Sequence, residues 1–168
     1  MMMFCQHSEK YSKNTSDELF RKHSVLTENQ FGFRSNRDTC LAVADMIDKV
    51  TEKLDAYNYS LGLFIDLSKA FDTLDYAILI AKLEFYGVRD NALNWFRSYL
   101  SNRQQCVDYN GVQSSLLHIR TAVRQGSTFG PLLFLIHIND IVNVSKFLHL
   151  ILFAHDTNIF LHHSDLNI

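Results

Sequence analysis

The stretch that decides the fold is Leu61-Gly-Leu-Phe-Ile-Asp-Leu-Ser-Lys-Ala-Phe-Asp72, an apolar run that ends on a carboxylate, Asp66. β-favouring residues extend the run back to Tyr59. Apolarity alone does not separate a strand from a helix segment, but Asp66, Ser68 and Asp72 follow at once and punctuate it. The reading is a buried strand over 59–66 with an acid at its C-terminal tip, where α/β proteins place chemistry. Buried without a partner, that carboxylate would cost several kcal/mol in lost hydration, so Asp66 is expected to face a cleft, a cation or a metal. The competing structural reading is a helix N-cap, a position that Asp and Ser commonly fill.

Outward from that stretch, 168 residues suffice for one domain with a real core and are too few for two comfortable ones. A hydrophobic share of 47% and a charged share of 20% match an ordinary globular protein, and thirteen Phe with seven Tyr make the expected core aromatic. A net charge of −2 excludes a global basic field, so any nucleic-acid binding must be local. Cys5, Cys40 and Cys106 are odd in number, far apart and without metal-ligand spacing, which points to a reduced, intracellular compartment, cytoplasmic or nuclear. The start lacks the basic and apolar regions of a signal peptide, and the apolar run 129–138 is too short to span a membrane. No membrane partner is expected, and oligomeric state is left open.

Along the chain, residues 1–14 are polar and unpatterned and read as a disordered tail. A short amphipathic piece follows Ser16. Gln30-Phe-Gly-Phe-Arg-Ser-Asn-Arg37 reads as a basic loop whose Arg34 and Arg37 suit bidentate contact with phosphate, or are simply solvated. Between Asp38 and Ala56, Leu41, Val43, Ala44, Ile47, Val50 and Leu54 recur near helical spacing. Helices are also expected after Asp75, as an N-cap, up to Gly87, then over 91–100, and over 132–142 behind Pro131. The aromatics of 91–100 read as core. Asn110-Gly111 marks a hairpin between 104–109 and 112–119, and 147–153 with 157–162 read as strands around a tight turn at 154–156. The order implies an α+β fold, a sheet with helices on one face and no domain boundary.

Three pieces converge on one chemistry. A strand ends in Asp66, a later turn carries Asp156, and between them Gln125-Gly-Ser127 opens a helix. Two acids on adjacent strands can share divalent cations; hard oxygen ligands favour Mg²⁺, which draws its remaining ligands from water and substrate phosphates. Such a site aligns a 3′-hydroxyl against a triphosphate. His137, His149, His162 and His163 are scattered, without the spacing of a zinc site.

The sequence resembles the fingers-and-palm portion of the reverse transcriptases of non-LTR, LINE-type (jockey-like) retrotransposons. The resemblance runs from about Leu26 to Asp165. It rests on Gln30-Phe-Gly-Phe-Arg34, Phe64-Ile-Asp-Leu-Ser-Lys-Ala-Phe-Asp-Thr-Leu-Asp75, Trp95-Phe-Arg-Ser-Tyr-Leu-Ser-Asn-Arg-Gln104, Arg124-Gln-Gly-Ser-Thr-Phe-Gly-Pro-Leu-Leu-Phe134, Ile138-Asn-Asp140 and Leu152-Phe-Ala-His-Asp-Thr-Asn158. It implies a palm-like antiparallel sheet over residues 15–168 and RNA-directed DNA polymerisation by two-metal nucleotidyl transfer. It also implies an RNA template, a DNA primer and deoxynucleoside triphosphates as partners.

Residue by residue, the resemblance implies Asp66 and Asp156 as catalytic metal ligands. Phe71 would be the aromatic gate against a 2′-hydroxyl. Gln125, Gly126 and Ser127 would line the nucleotide pocket, and Arg34 would lie near template or triphosphate. Two positions depart from the pattern. His155 stands where the family has the first of two aspartates, so Mg²⁺ binding is expected to be weakened, with Mn²⁺ better tolerated. Arg124 replaces the usual proline. No thumb or endonuclease is expected within the chain. The implied outcome is an impaired polymerase; the alternatives are a non-catalytic nucleic-acid-binding module or a functionless remnant of a retroelement.

Overall fold

A computed structural model describes residues 25–101, 103–119, 121–123, 127 and 129–165. The expected N-terminal tail and most of the piece after Ser16 lie outside the described residues. In chain order the elements are α1 (Thr39–Asp55), β1 (Tyr59–Asp66), α2 (Tyr76–Phe85), α3 (Asp90–Leu100), β2 (Gln104–Gln105), β3 (Asp108–Tyr109), β4 (Val112–Gln113), β5 (Leu117–His118), α4 (Gly130–Ile138), a 3₁₀ turn (Asn139–Val144), β6 (Leu148–Phe153) and β7 (Asp156–His163). The fold is α+β. Helices and antiparallel strands group into two compact units, the first drawn from Met1–Ser68 and Ile138–Ile168, the second from Lys69–His137. Among the described residues no helix is long and apolar enough to cross a membrane.

In the first unit β7 is the central strand, antiparallel to β1 on one side and β6 on the other. Asp38 starts α1 by accepting the Leu41 N–H at 2.8 Å, and the helix lies against β1 and β6. The core joins Phe31, Ala42, Ile151 and Phe160, with Met46, Val50 and Phe153 packed around them. The buried stripe of α1 is therefore Ala42, Met46 and Val50, while Leu41, Val43, Ile47 and Leu54 stay exposed, contrary to the spacing argument. Two apolar stripes share this helix, and the small Ala42 decides which one approaches the sheet. A second correction concerns β1, which is an edge strand with Leu61, Leu63 and Phe64 exposed, and not the buried strand its apolarity suggests.

Two polar groups of β7 carry energetic consequences. Thr157 is 2% exposed and its hydroxyl has no hydrogen-bond partner among the described residues. Thr157→Val keeps the β-branched shape and removes that desolvated hydroxyl, so it is expected to raise stability by about 1 kcal/mol in urea denaturation. His162 receives or donates one bond at 2.8 Å with the Ser60 hydroxyl. Burial holds its imidazole below the usual histidine range, with Lys53 and His149 adding in the same direction. Its contribution to stability is complete above the ordinary histidine value and is lost as pH falls through the lowered one.

In the second unit Asp75 caps α2 by accepting the Ala77 and Ile78 N–H groups at 2.8 and 3.0 Å, and Gly87 follows the helix in the left-handed region at φ +92°. Phe129 is fully buried among Trp95, Phe96 and Tyr99, with ring centroids 5.1, 5.7 and 6.0 Å away, so the aromatics of α3 build core. Asn110 and Gly111 both adopt positive φ, as a two-residue hairpin turn requires. The hairpin is shorter than its sequence suggests. It breaks into the ladders β3–β4 and β2–β5, because Val107, Tyr109, Val112 and Leu117 are exposed and no buried face holds longer strands in register. Helix α4 ends at Ile138 and tightens into the 3₁₀ turn, short of the expected helical run to Val142.

Candidate metal centre

Strand pairing brings together two acids ninety residues apart in the chain. The β1–β7 register sets Asp66 directly opposite Asp156, and these two close the same end of the ladder. Like charges facing each other across strands repel. The group between them comes from the two-residue loop Ala154-His155 that joins β6 to β7. His155 Nδ1 lies 3.0 Å from Asp66 Oδ1 and 3.4 Å from Asp156 Oδ1. Of the two contacts, the one to Asp66 is a hydrogen bond. One ligand atom from each of the three residues lies within 4.8 Å of the others. A groove of about 320 Å³ along α1, lined by Ala42, Met46, Phe64, Ile151 and Phe153, runs up to the acids.

The spacing suits a cation. Neighbouring ligands of an octahedral ion bound at about 2.1 Å stand about 3.0 Å apart. The donor types are less accommodating. Two carboxylates and one imidazole nitrogen do not fit a pair of Mg²⁺ ions, which need bridging oxygen ligands. Nδ1 can also hold either a proton or an ion, never both.

The turn that carries His155 and Asp156 is gripped from inside the fold. Gln30, 2% exposed, accepts the Ala154 N–H at 2.9 Å and the Gly32 N–H at 2.8 Å through its side-chain oxygen. Its amide nitrogen donates to the Ala154 carbonyl at 3.4 Å. The main chain on either side joins the edge of β6: Phe31 N–H donates to Leu152 O and Leu152 N–H to Asn29 O, both at 2.8 Å. Sequence reasoning took only Arg34 from this motif and missed Gln30. A glutamine followed by Phe31, Gly32 and Phe33 is the available signal, since a polar side chain in an aromatic setting must find partners.

The other expected site residues that are described each have partners of their own. Arg34 donates to the carbonyls of Thr27 and Gln30 at 2.6 and 3.4 Å and pairs with Glu28 at 3.3 Å; Arg37 pairs with the same Glu28 and lies 4.8 Å over the Phe31 ring. Both guanidinium groups thus support their own loop. Phe71 belongs to the second unit, where its ring sits 4.9 Å from Phe134 and its carbonyl accepts the Val123 N–H. The Ser127 hydroxyl accepts the Gly130 N–H at 3.0 Å, at the start of α4. Gln125, Gly126 and the divergent Arg124 lie outside the described residues. Asp75 is a cap, as expected.

The sequence profile described as reverse transcriptase (RNA-dependent DNA polymerase) matches residues 3–166. The chain belongs to the reverse transcriptase family. Within the family its relatives are the non-LTR elements. It is 29% identical to the "Probable RNA-directed DNA polymerase from transposon BS" of Drosophila melanogaster, over 79% of this chain and 15% of that protein. It is also 29% identical to the RNA-directed DNA polymerase from mobile element jockey of Drosophila funebris, over 77% of this chain and 14% of that one. The chain thus spans about one seventh of the length of these relatives. Among solved structures, an apo telomerase from Candida tropicalis, truncated from its C-terminal domain, shares the fold with a TM-score of 0.65. It matches 90% of this chain and 34% of its own, at 16% identity. Reverse transcriptase membership brings the expectation of a divalent metal.

Proposed function

We propose that this chain is the palm portion of an RNA-directed DNA polymerase of non-LTR type whose metal centre has lost part of its donor set. The single observation that carries the reading is the meeting of Asp66, His155 and Asp156 at one end of the β1–β7 ladder. The partners would be an RNA template, a DNA primer and deoxynucleoside triphosphates, with Phe71, Gln125, Gly126 and Ser127 facing the nucleotide. When bound, divalent cations would stabilise the charge that develops during phosphoryl transfer.

His155 is the defect. Its nitrogen replaces an anionic oxygen, and it is hydrogen-bonded to Asp66 and 3.4 Å from Asp156, in the place where a cation would bridge the acids. The three groups suit a single ion that accepts mixed nitrogen and oxygen donors, Mn²⁺ before Mg²⁺. Removing one charge-stabilising group from an enzyme site costs on the order of 10²–10³ in rate, and a metal ligand of a polymerising site is expected to matter no less. Primer extension on an RNA template, with Mg²⁺ and with Mn²⁺, tests this for the chain and for His155→Asp. The expected result is Mg²⁺-dependent extension by His155→Asp at least about 10²-fold faster than by the parent. Equal Mg²⁺-dependent rates would overturn the assignment.

A further inference from the structure

Ala154 occupies the left-handed region at φ 53°, which an L-alanine adopts only when its surroundings impose it. Those surroundings are the tight two-residue turn between β6 and β7, which calls for a positive φ at its first residue, and the Gln30 side chain that holds it. Gln30 holds the Ala154 peptide from both ends, oxygen to N–H and nitrogen to carbonyl, and is itself almost fully buried. Gly32 leaves the room for this approach: a Cβ there would stand 2.1 Å from the Ala154 nitrogen. The next two residues after Ala154 are His155 and Asp156, both within reach of Asp66. The angle at residue 154 therefore sets where one side of the ligand cluster points.

We propose that Gln30 is a positioning residue for the metal centre: it locks Ala154 in the left-handed conformation of the β6–β7 turn and so keeps His155 and Asp156 aimed at Asp66. The inference rests on the metal-centre reading given above. It makes a specific demand, because a glutamine that merely fills the core would not matter selectively to one turn. If the clamp exists to enforce the left-handed angle, glycine at 154 removes the need for it, since glycine adopts that angle without a Cβ penalty.

The test uses the full chain, Mn²⁺ alone as probe, and amide hydrogen exchange at Ala154. Gln30→Met keeps the volume without the amide; Gln30→Asn keeps an amide one methylene too short to reach. Whichever folds by far-ultraviolet circular dichroism is expected to bind Mn²⁺ at least tenfold more weakly and to exchange the Ala154 amide at least tenfold faster. The Leu150 amide, in the middle of β6, should exchange unchanged. Adding Ala154→Gly should recover most of the Mn²⁺ affinity. A folded Gln30 variant with parental Mn²⁺ affinity and parental Ala154 exchange overturns the proposal, as does loss of affinity that Ala154→Gly leaves untouched. Should the parent bind no Mn²⁺ at all, the metal-centre reading fails separately. The exchange rate of Ala154 then decides this inference alone: acceleration supports it, and an unchanged rate overturns it.

Discussion

His155→Asp is expected to lower the melting temperature in chelator and to raise it above the parent's in millimolar Mg²⁺. Without an ion, the substitution replaces an imidazole hydrogen-bonded to Asp66 with a third carboxylate beside Asp66 and Asp156. Opposed like charges on strands cost roughly 0.2–1 kcal/mol per pair, and these side chains are between 43% and 73% exposed, so solvent screening holds the loss near the lower end. With an ion, the sign reverses. A ligand that binds only the folded state at one hundred times its dissociation constant adds about 2.7 kcal/mol. At roughly 2–4 °C per kcal/mol for a chain of this size, that is a rise of about 5–10 °C. Differential scanning calorimetry of both proteins in chelator, Mg²⁺ and Mn²⁺ reads the crossing directly. The parent should respond to Mn²⁺ more than to Mg²⁺, because only the former tolerates the imidazole. A His155→Asp protein indifferent to both ions would sink the metal-centre reading.

Gly32→Ala is expected to cost about 3–5 kcal/mol, among the largest losses open to a single methyl group in this chain. The added carbon would meet backbone, 2.1 Å from the Ala154 nitrogen and 2.8 Å from its Cα, so no side chain can swing aside to admit it. Either the 27–32 segment leaves the edge of β6, giving up the two 2.8 Å bonds between Phe31, Leu152 and Asn29, or the 154–156 turn moves away from Asp66. The first route loses folding free energy; the second loses the ligand cluster. Urea denaturation measures the one and Mn²⁺ titration the other. A variant within 1 kcal/mol of the parent that also keeps Mn²⁺ affinity would show that residues 30–32 do not seat this turn.

Much of this protein is legible without coordinates wherever the cause is local. Asp75 caps α2 and Gly87 ends it, because capping is settled within one turn of helix. Asn110-Gly111 turns the hairpin, because only a positive-φ pair closes a two-residue loop of that twist. The motifs around Asp66 and Asp156 carried the family resemblance, which needs residue identities and order but no geometry.

What tertiary structure alone decided is everything that depends on residues far apart meeting. The packing of Ala42, Met46 and Val50 against the core, with Leu41, Val43 and Ile47 left exposed, depends on which stripe of α1 the sheet faces. The exposure of β1 depends on its place at the sheet edge, which its own apolar run does not encode. Arg34 spends its guanidinium on Glu28 and nearby carbonyls, a choice invisible in a list of basic residues. The ligand cluster depends on the register Asp66↔Asp156, and a slip of one residue would turn either acid to the opposite face. The amino-acid sequence by itself determined the local elements and the family, because those follow from short-range sterics and residue identity. The pairing of distant strands and the buried grip of Gln30 were settled only by the folded whole, because contact across ninety residues or more is chosen by the energy of the complete core.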